Sequence, residues 1–298
     1  MVVETPTPAA APEVGPPPPD WAGIHERVSC PLCEYDLRGL VEPRCPECGY
    51  RFDWAQLLDP TRRRHRYLFE HHPRRNLWSF WRTAAAGLRA ARFWQSLSPV
   101  QPSSPRRLTL YGFIVGVTTL LLGPVLSHAL VALAILATDA RASWVGALGM
   151  AWNAPNIAPA PGLFFVAAAF YVLWALATFF SLLVFRISMR RARIRPVHVA
   201  RCVVYSFDAI LWPALAVFVA TAVTIAQALL LSKRDFAFLS GTVAAAPWLL
   251  VALVLYRLVM AYRHYLRFDH PVLTVLASQA IAGLVVLNVM VYLTNLTN

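Results

Sequence analysis

The second half of the chain is dominated by five long apolar runs, and this feature limits the fold more than any other. The runs cover residues 108–136, 163–185, 203–231, 236–256 and 272–293. A helix needs about 20 apolar residues to cross the hydrocarbon core of a bilayer. The whole chain is 58% hydrophobic and only 14% charged, which leaves too little polar surface for a soluble domain. The sequence therefore predicts an all-α polytopic membrane protein with five transmembrane helices over residues 108–298.

The joints between the apolar runs alternate between arginine-rich and arginine-poor. The rich joints lie before the first run, between the second and third, and between the fourth and fifth. The other joints and the tail after the last run carry few basic side chains. Because arginine-rich loops stay on the cytoplasmic side, we expect a multi-pass protein with a cytoplasmic N-terminus and an external C-terminus.

Four cysteines ahead of the apolar half have the spacing of metal ligands. Cys30 pairs with Cys33, and Cys45 with Cys48, in two C-x-x-C turns. Four sulfurs match the tetrahedral coordination of zinc, and they leave no open position, so we expect a structural Zn²⁺. A redox pair and an iron site are the alternatives. A disulfide framework is disfavoured because the first twenty residues lack the apolar segment of a secretory signal.

The segment CPLCEYDLRGL…RCPECGYRFD resembles the short zinc-ribbon domains at the N-termini of many bacterial proteins. The resemblance is specific for the metal, and such ribbons bind protein partners, nucleic acid or nothing known. We expect the protein to lie in a bacterial inner membrane. A unit this short needs a metal staple to fold. The predicted domains are a disordered Pro/Ala-rich tail (1–20), a zinc ribbon (21–59), a basic linker with an amphipathic interfacial helix (60–107), and the transmembrane domain (108–298).

The stretch between ribbon and membrane is basic and then amphipathic. Residues 60–75 are dense in arginine and histidine and read as a solvated linker, with a second metal site at the histidines or an RNA-binding patch as alternatives. Residues 76–97 predict an interfacial helix with lipid-facing basic residues Arg82 and Arg89. Phe93 and Leu97 fall outside the apolar face of this helix, so packing of the helix against the transmembrane bundle is the alternative. Because most arginines flank apolar runs, we expect membrane lipids as partners rather than nucleic acid.

Few polar groups lie at membrane depth. The possible intramembrane polar residues are His128 in the first run and Asp208 in the third. An intramembrane charge is a functional candidate, but Asp208 lies near the start of its run and can instead pair structurally with an arginine. Gly123-Pro124 and Pro213 are expected to kink the first and third helices. Since no cluster of catalytic groups is evident, we expect no enzyme and no catalytic residues.

The membrane half resembles the Yip family, which has a cytoplasmic N-terminal region, five closely spaced helices and a short external tail. The likeness covers residues 80–293 and is carried by RPVHVARCVVYS (195–206) and by residues 248–265. The family's Asp-Leu-Tyr-Gly-Pro motif is only partly kept at residues 110–113, which argues against a small-GTPase partner. We expect a non-enzymatic membrane protein whose cytoplasmic zinc ribbon recruits an unknown cytoplasmic protein. The alternative is a small-solute or ion transporter or channel.

Overall fold

A computed structural model describes residues 18–59, 64–139, 141–152, 161–188, 194–230, 238–268 and 270–297. Most of the predicted N-terminal tail and part of the basic joint before the third run lie outside the described residues. The described residues form helices and no strand. The helices are α1 (Trp54–Leu58), α2 (Asn76–Gly87), α3 (Ala90–Ser96), α4 (Pro105–Leu120), α5 (Leu126–Thr138), α6 (Trp144–Trp152), α7 (Pro161–Ser188), α8 (Pro196–Phe207), α9 (Leu211–Leu230), α10 (Phe238–Met260) and α11 (Pro271–Thr297).

Four helical stretches are long and apolar enough to cross a membrane, which confirms the prediction of a helical, multi-pass class. They are Pro105–Thr138, Val166–Val184, Pro196–Gln227 and Pro271–Tyr292. The fourth predicted run coincides with α10, a helix of 23 residues. The side chains at the beginning of α10 lie outside the described part of the chain. The count of five spans therefore stays a prediction.

Proline interrupts two of these stretches without ending them. The α4–α5 helix contains a π turn at Leu121–Val125, and α8 runs into α9 through a 3₁₀ turn at Asp208–Ile210. Pro124 and Pro213 have no N–H to donate to the carbonyl four residues earlier, so the regular hydrogen-bond ladder is lost at both points. Both irregular turns lie at or just before the positions predicted from sequence.

The helix expected over residues 76–97 is two helices, α2 and α3, which meet at a corner. Arg89 leaves helical geometry at the corner, with φ −102° and ψ 62°. Gly87 packs directly against Arg257 of α10: a Cβ at Gly87 would lie 1.6 Å from the Arg257 Nη2 atom. Phe93 and Leu97 are buried in the helical body. The prediction of a single helix was therefore wrong, and the alternative of packing against the bundle describes α3.

The second half of the expected solvated linker is packed into the helical body. Leu68 and Phe69 have no exposed surface. The Phe69 N–H donates to Thr83 Oγ1 on α2 at 3.0 Å, and the Arg107 guanidinium lies 4.3 Å from the centre of the Phe69 ring. Since three apolar residues interrupt the basic run at Tyr67-Leu68-Phe69, this stretch buries its apolar side chains and leaves arginines such as Arg66 outside.

The N-terminal ribbon (residues 21–59) has a small aromatic core of its own. Trp54 on α1 packs edge-on against Trp21 and Phe52, with ring centres 5.2 and 4.7 Å apart. Asp53 caps α1 by accepting a hydrogen bond from the Ala55 N–H at 3.0 Å. The buried residues of the ribbon are continuous with those of the helical bundle. The ribbon is therefore docked on the bundle.

Candidate metal centre and the ionic network behind it

Two cysteine turns of matching geometry build the candidate metal centre. In the first knuckle (Cys30 to Glu34), the Cys30 N–H donates to the Tyr35 carbonyl at 2.7 Å, and the Glu34 N–H donates to the Cys30 carbonyl at 2.9 Å. The second knuckle (Cys45 to Gly49) repeats both hydrogen bonds. The Cys45 N–H donates to the Tyr50 carbonyl, and the Gly49 N–H donates to the Cys45 carbonyl, each at 2.9 Å. The residue after the second cysteine has positive φ in both, 64° at Glu34 and 69° at Gly49.

The four sulfurs converge on one point. Their Sγ atoms all lie within 4.8 Å of one another. The Cys30–Cys48 sulfur distance is 3.6 Å and the Cys33–Cys45 distance is 3.5 Å. A disulfide would require about 2.05 Å, whereas a tetrahedron with Zn–S bonds of about 2.3 Å has sulfurs about 3.8 Å apart. The four predicted ligands are thus placed to hold a metal ion.

The electrostatics of the cluster keep its thiols protonated in the absence of a cation. Burial raises the pKa of the Cys33 thiol to about 12. The hydrogen bond to Cys48, together with burial, raises the pKa of Cys30 well above its ordinary value. Thiolates at this site therefore need a positive charge to stabilise them, and a divalent ion supplies it on binding. Four thiolates leave no coordination position for substrate, so the ion would hold the fold.

The first knuckle is docked on the start of α8. His198 Nε2 donates to the Pro31 carbonyl at 2.8 Å, and the Arg195 N–H donates to the Leu32 carbonyl at 2.9 Å. Arg195 also pairs with the Glu34 carboxylate at 3.1 Å. Pro31 and Leu32 are the two residues between the cysteines of the turn. The helix that begins the third apolar stretch therefore holds the metal-binding turn directly.

Behind His198, a row of hydrogen bonds continues into the core. Because Nε2 of a neutral imidazole donates to Pro31, Nδ1 must accept, and it accepts from the Tyr265 hydroxyl at 2.7 Å. The Tyr265 oxygen in turn accepts from Arg201 Nη1 at 2.9 Å. All bonds of the row point the same way, from Arg201 towards the knuckle. The row connects the candidate metal centre to the ionic core of the bundle.

The row ends in a buried Arg201–Glu70 pair. Arg201 Nε and Nη2 donate to the two carboxylate oxygens of Glu70 at 2.9 and 3.0 Å, and both side chains are fully buried. The Tyr205 hydroxyl and the Ser104 N–H donate to the same carboxylate at 2.9 and 2.8 Å. The remaining Arg201 N–H groups reach the carbonyls of Gln101 and Pro102. A buried pair is stable only when its hydrogen bonds are satisfied in this way.

Glu70 and Arg201 are site residues that the sequence patterns did not predict. Arg201 was interpreted as one of the charges of a basic joint, and Glu70 as part of a basic linker. The signal that could have identified Glu70 is its isolation: it is the one acidic residue between Asp59 and Asp139. An acid that follows a buried apolar triplet in a basic stretch needs a cationic partner.

The two predicted intramembrane polar residues lie apart from the cysteines and have partners of their own. Asp208 pairs with Arg257 Nη1 at 2.6 Å and accepts a hydrogen bond from the Tyr111 hydroxyl at 2.6 Å. His128 Nδ1 donates to the Pro124 carbonyl one turn earlier, at 2.6 Å. Asp208 therefore connects α4 with α10, and His128 bonds within its own helix at the π turn.

The cluster of His65, His71 and His72 is occupied by structural hydrogen bonds. The His65 N–H donates to His71 Nδ1 at 2.7 Å, and His72 Nε2 donates to the His65 carbonyl at 2.9 Å. His71 Nε2 donates to the Pro102 carbonyl at 2.9 Å. Burial lowers the pKa of His65 to about 4, so its ring stays neutral. Within the described ranges, the ligand cluster found is the four-cysteine one, and the second metal site has no support.

The predicted lipid-facing arginines lie on the outer side of α2 and at the α2–α3 corner. Arg82 lies over the Trp78 ring, 5.8 Å from its centre, and Arg89 is exposed beside α10.

Comparison with protein-family models, curated proteins and solved structures gives no match for this chain. The Yip-like resemblance therefore stays a prediction, and function has to be inferred from the geometry of the site.

Proposed function

We propose that this chain is a non-enzymatic integral membrane protein that holds a zinc ribbon at the cytoplasmic end of its helices and uses it to recruit a cytoplasmic protein. The observation that carries the proposal is the docking of the first knuckle, where His198 of α8 donates to the Pro31 carbonyl at 2.8 Å. Because hydrogen bonds from His198 Nε2 and the Arg195 N–H join the metal-binding turn to the start of α8, the ribbon is held in one orientation. A partner bound to it would be held in a fixed position relative to the bilayer.

The choice of zinc is supported by the donor set and the compartment. Four cysteine sulfurs at near-tetrahedral spacing suit zinc, which has no geometric preference of its own. The arginine-rich joints favour the cytoplasm for this end of the protein. Thiols stay reduced there, which favours a metal site over disulfides.

The outward side of the ribbon offers a surface for a partner. Val41 is 72% exposed and Tyr35 is 40% exposed. Arg38 and Arg44 belong to the same loop region between the knuckles. Since Arg38 is paired with Asp36, the exposed apolar side chains favour a protein partner with an apolar contact surface.

The transporter alternative gains no specific support. A transport path between the kinked helices would be lined by Asp208. The Asp208 side chain is 1% exposed and is paired with Arg257. This geometry suits a helix-to-helix connection.

Site-specific photo-crosslinking of the full-length protein in its native membrane tests the proposal. We expect a photoreactive residue in place of Val41 to give one defined protein adduct. The same residue in place of Leu133, an exposed position on α5, is the control and should give none. The adduct should disappear when Cys45→Ser and Cys48→Ser are added. An adduct that persists in this double variant, or none at Val41, would contradict recruitment by the ribbon.

A further inference from the structure

The α2–α3 corner forms a small concave surface next to α10. The cavity has a volume of about 450 Å³ and is lined by Leu88, Arg89, Ala90, Ala91, Arg92 and Tyr256. Two of its six lining residues are arginines and none is acidic. Two other exposed arginines, Arg38 and Arg195, are paired with Asp36 and Glu34. The corner therefore concentrates positive charge that the described residues do not neutralise.

The corner is held by the packing beneath it. Gly87 lies against the guanidinium of Arg257, which is the neighbour of Tyr256 on α10. Arg257 is in turn fixed by its ion pair with Asp208 at 2.6 Å. Because the backbone turns over this buried pair, Arg89 and Arg92 project from a fixed support. A preorganised pair of arginines loses less entropy on binding a ligand than two mobile ones.

The surroundings of the corner suit the level of lipid headgroups. Tyr256 is the last residue of the fourth predicted apolar run (236–256) and is followed directly by Arg257. Leu77 and Leu88 on the outer side of α2 and at the corner are 75% and 49% exposed, and Trp81 beside them is 39% exposed. Exposed tryptophan and leucine next to arginine are typical of the boundary between headgroups and acyl chains.

We propose that the α2–α3 corner is a binding site for the phosphate group of an anionic phospholipid. Arg89 and Arg92 donate to the phosphate oxygens, and the guanidinium fork suits this ligand because it can donate two bonds at once. The Tyr256 hydroxyl donates a further bond, and Leu88 contacts the first part of an acyl chain. The site is independent of the metal centre and of the proposed recruitment function.

Lipid titration of the full-length protein in detergent, followed by native mass spectrometry, tests the site. The probe is phosphatidylglycerol, with phosphatidylcholine as the zwitterionic comparison. Arg89→Gln with Arg92→Gln should weaken phosphatidylglycerol binding about tenfold or more, since each arginine near a phosphate contributes about a factor of five. Tyr256→Phe should weaken it about threefold. Arg66→Gln with Arg74→Gln removes the same charge outside the cavity and should change it less than twofold.

Each outcome decides something. Equal losses from the two double variants would overturn the site, because binding would then follow net charge. Equal binding of phosphatidylcholine would also overturn it. Competition with inorganic phosphate at millimolar concentration separates the two sources of the ligand. Retention of the lipid supports the headgroup assignment, whereas displacement from the wild type would overturn the lipid and leave a soluble phosphate as the ligand. Thermal melting of each variant, compared with the wild type, identifies any loss of binding caused by unfolding.

Discussion

The two cysteine knuckles have the same spacing and the same backbone turn but different surroundings. In the first knuckle, the Pro31 and Leu32 carbonyls accept hydrogen bonds from α8. Next to the second knuckle, Tyr50 contacts the helical body through its ring, 5.8 Å from the Arg267 guanidinium. The first turn thus contributes two candidate metal ligands and also docks on the bundle, whereas the second contributes the other two candidate ligands. Variants of each knuckle can separate these two roles.

Substitution of the two cysteines of the second knuckle should remove the metal from the whole four-cysteine site. Cys45→Ser with Cys48→Ser leaves two ligands, and a structural zinc site contributes on the order of 10 kcal/mol to folding of a small ribbon. We expect the zinc content of the purified protein to fall from about one ion per chain to none, measured by inductively coupled plasma mass spectrometry. Amide hydrogen exchange should become fast in residues 28–52.

Cys202→Ser is the matched control, because Cys202 is buried in α8 and lies outside the four-sulfur cluster. It should keep the metal. Equal loss of zinc in this variant, or full retention in the double variant, would contradict the assignment of the four ligands.

Loss of the docking contact should leave the metal in place and release the ribbon. His198→Ala removes the donor to Pro31 and the acceptor for Tyr265. Each buried polar group left without a partner costs about 1–3 kcal/mol. We expect unchanged zinc content, faster amide hydrogen exchange in residues 28–37, and new proteolytic cleavage between the ribbon and the bundle. His270→Ala, at an exposed position before α11, is the control and should behave as wild type. Concurrent loss of zinc would mean that docking and metal binding are one unit.

The sequence predicted the ligands but not the docking, and distance along the chain explains the difference. Cysteine ligands come in pairs two residues apart within each turn, so local spacing reveals them. His198 lies 167 residues from Pro31, and Arg201 lies 131 residues from Glu70. Such contacts depend on how the helices pack, which periodicity and composition do not encode. Arg201 looked like a loop charge because its neighbours at 190–195 are arginine-rich.

The boundaries of the apolar stretches also depend on contacts that are distant in sequence. Hydropathy placed the start of the third run at Val203, whereas the helix begins at Pro196. Its first two turns carry the polar side chains of His198 and Arg201, which are buried against the ribbon and its neighbours. Polar residues that pair inside the protein lower the hydropathy of a helix without ending it. The corner at Gly87 was missed because the Arg257 side chain that requires it is distant in sequence.

In each knuckle, the residue after the second cysteine can be substituted to test the contribution of backbone conformation. Gly49 and Glu34 both have positive φ, which costs about 1–2 kcal/mol for a residue with a side chain. Gly49→Ala meets no atom closer than Arg44 Nη2 at 3.7 Å, so its cost comes from the backbone alone. We expect faster transfer of zinc to a chromogenic chelator from Gly49→Ala. Glu34→Gly relieves the backbone but loses an ion pair, so its release rate should stay closer to wild type. Equal rates for Gly49→Ala and the wild type would contradict the strain argument.

The smallest effect is expected from the ion pair at the edge of the first knuckle. Arg195 and Glu34 have side chains 44% and 60% exposed, so their pair contributes below about 1 kcal/mol and is screened by salt. Arg195→Gln keeps the backbone N–H that donates to Leu32. Exchange in residues 28–37 should therefore rise slightly at low salt and match the wild type in about 0.5 M sodium chloride. Undocking as complete as in His198→Ala would show that surface charge, and not the buried row behind His198, distinguishes the first knuckle from the second.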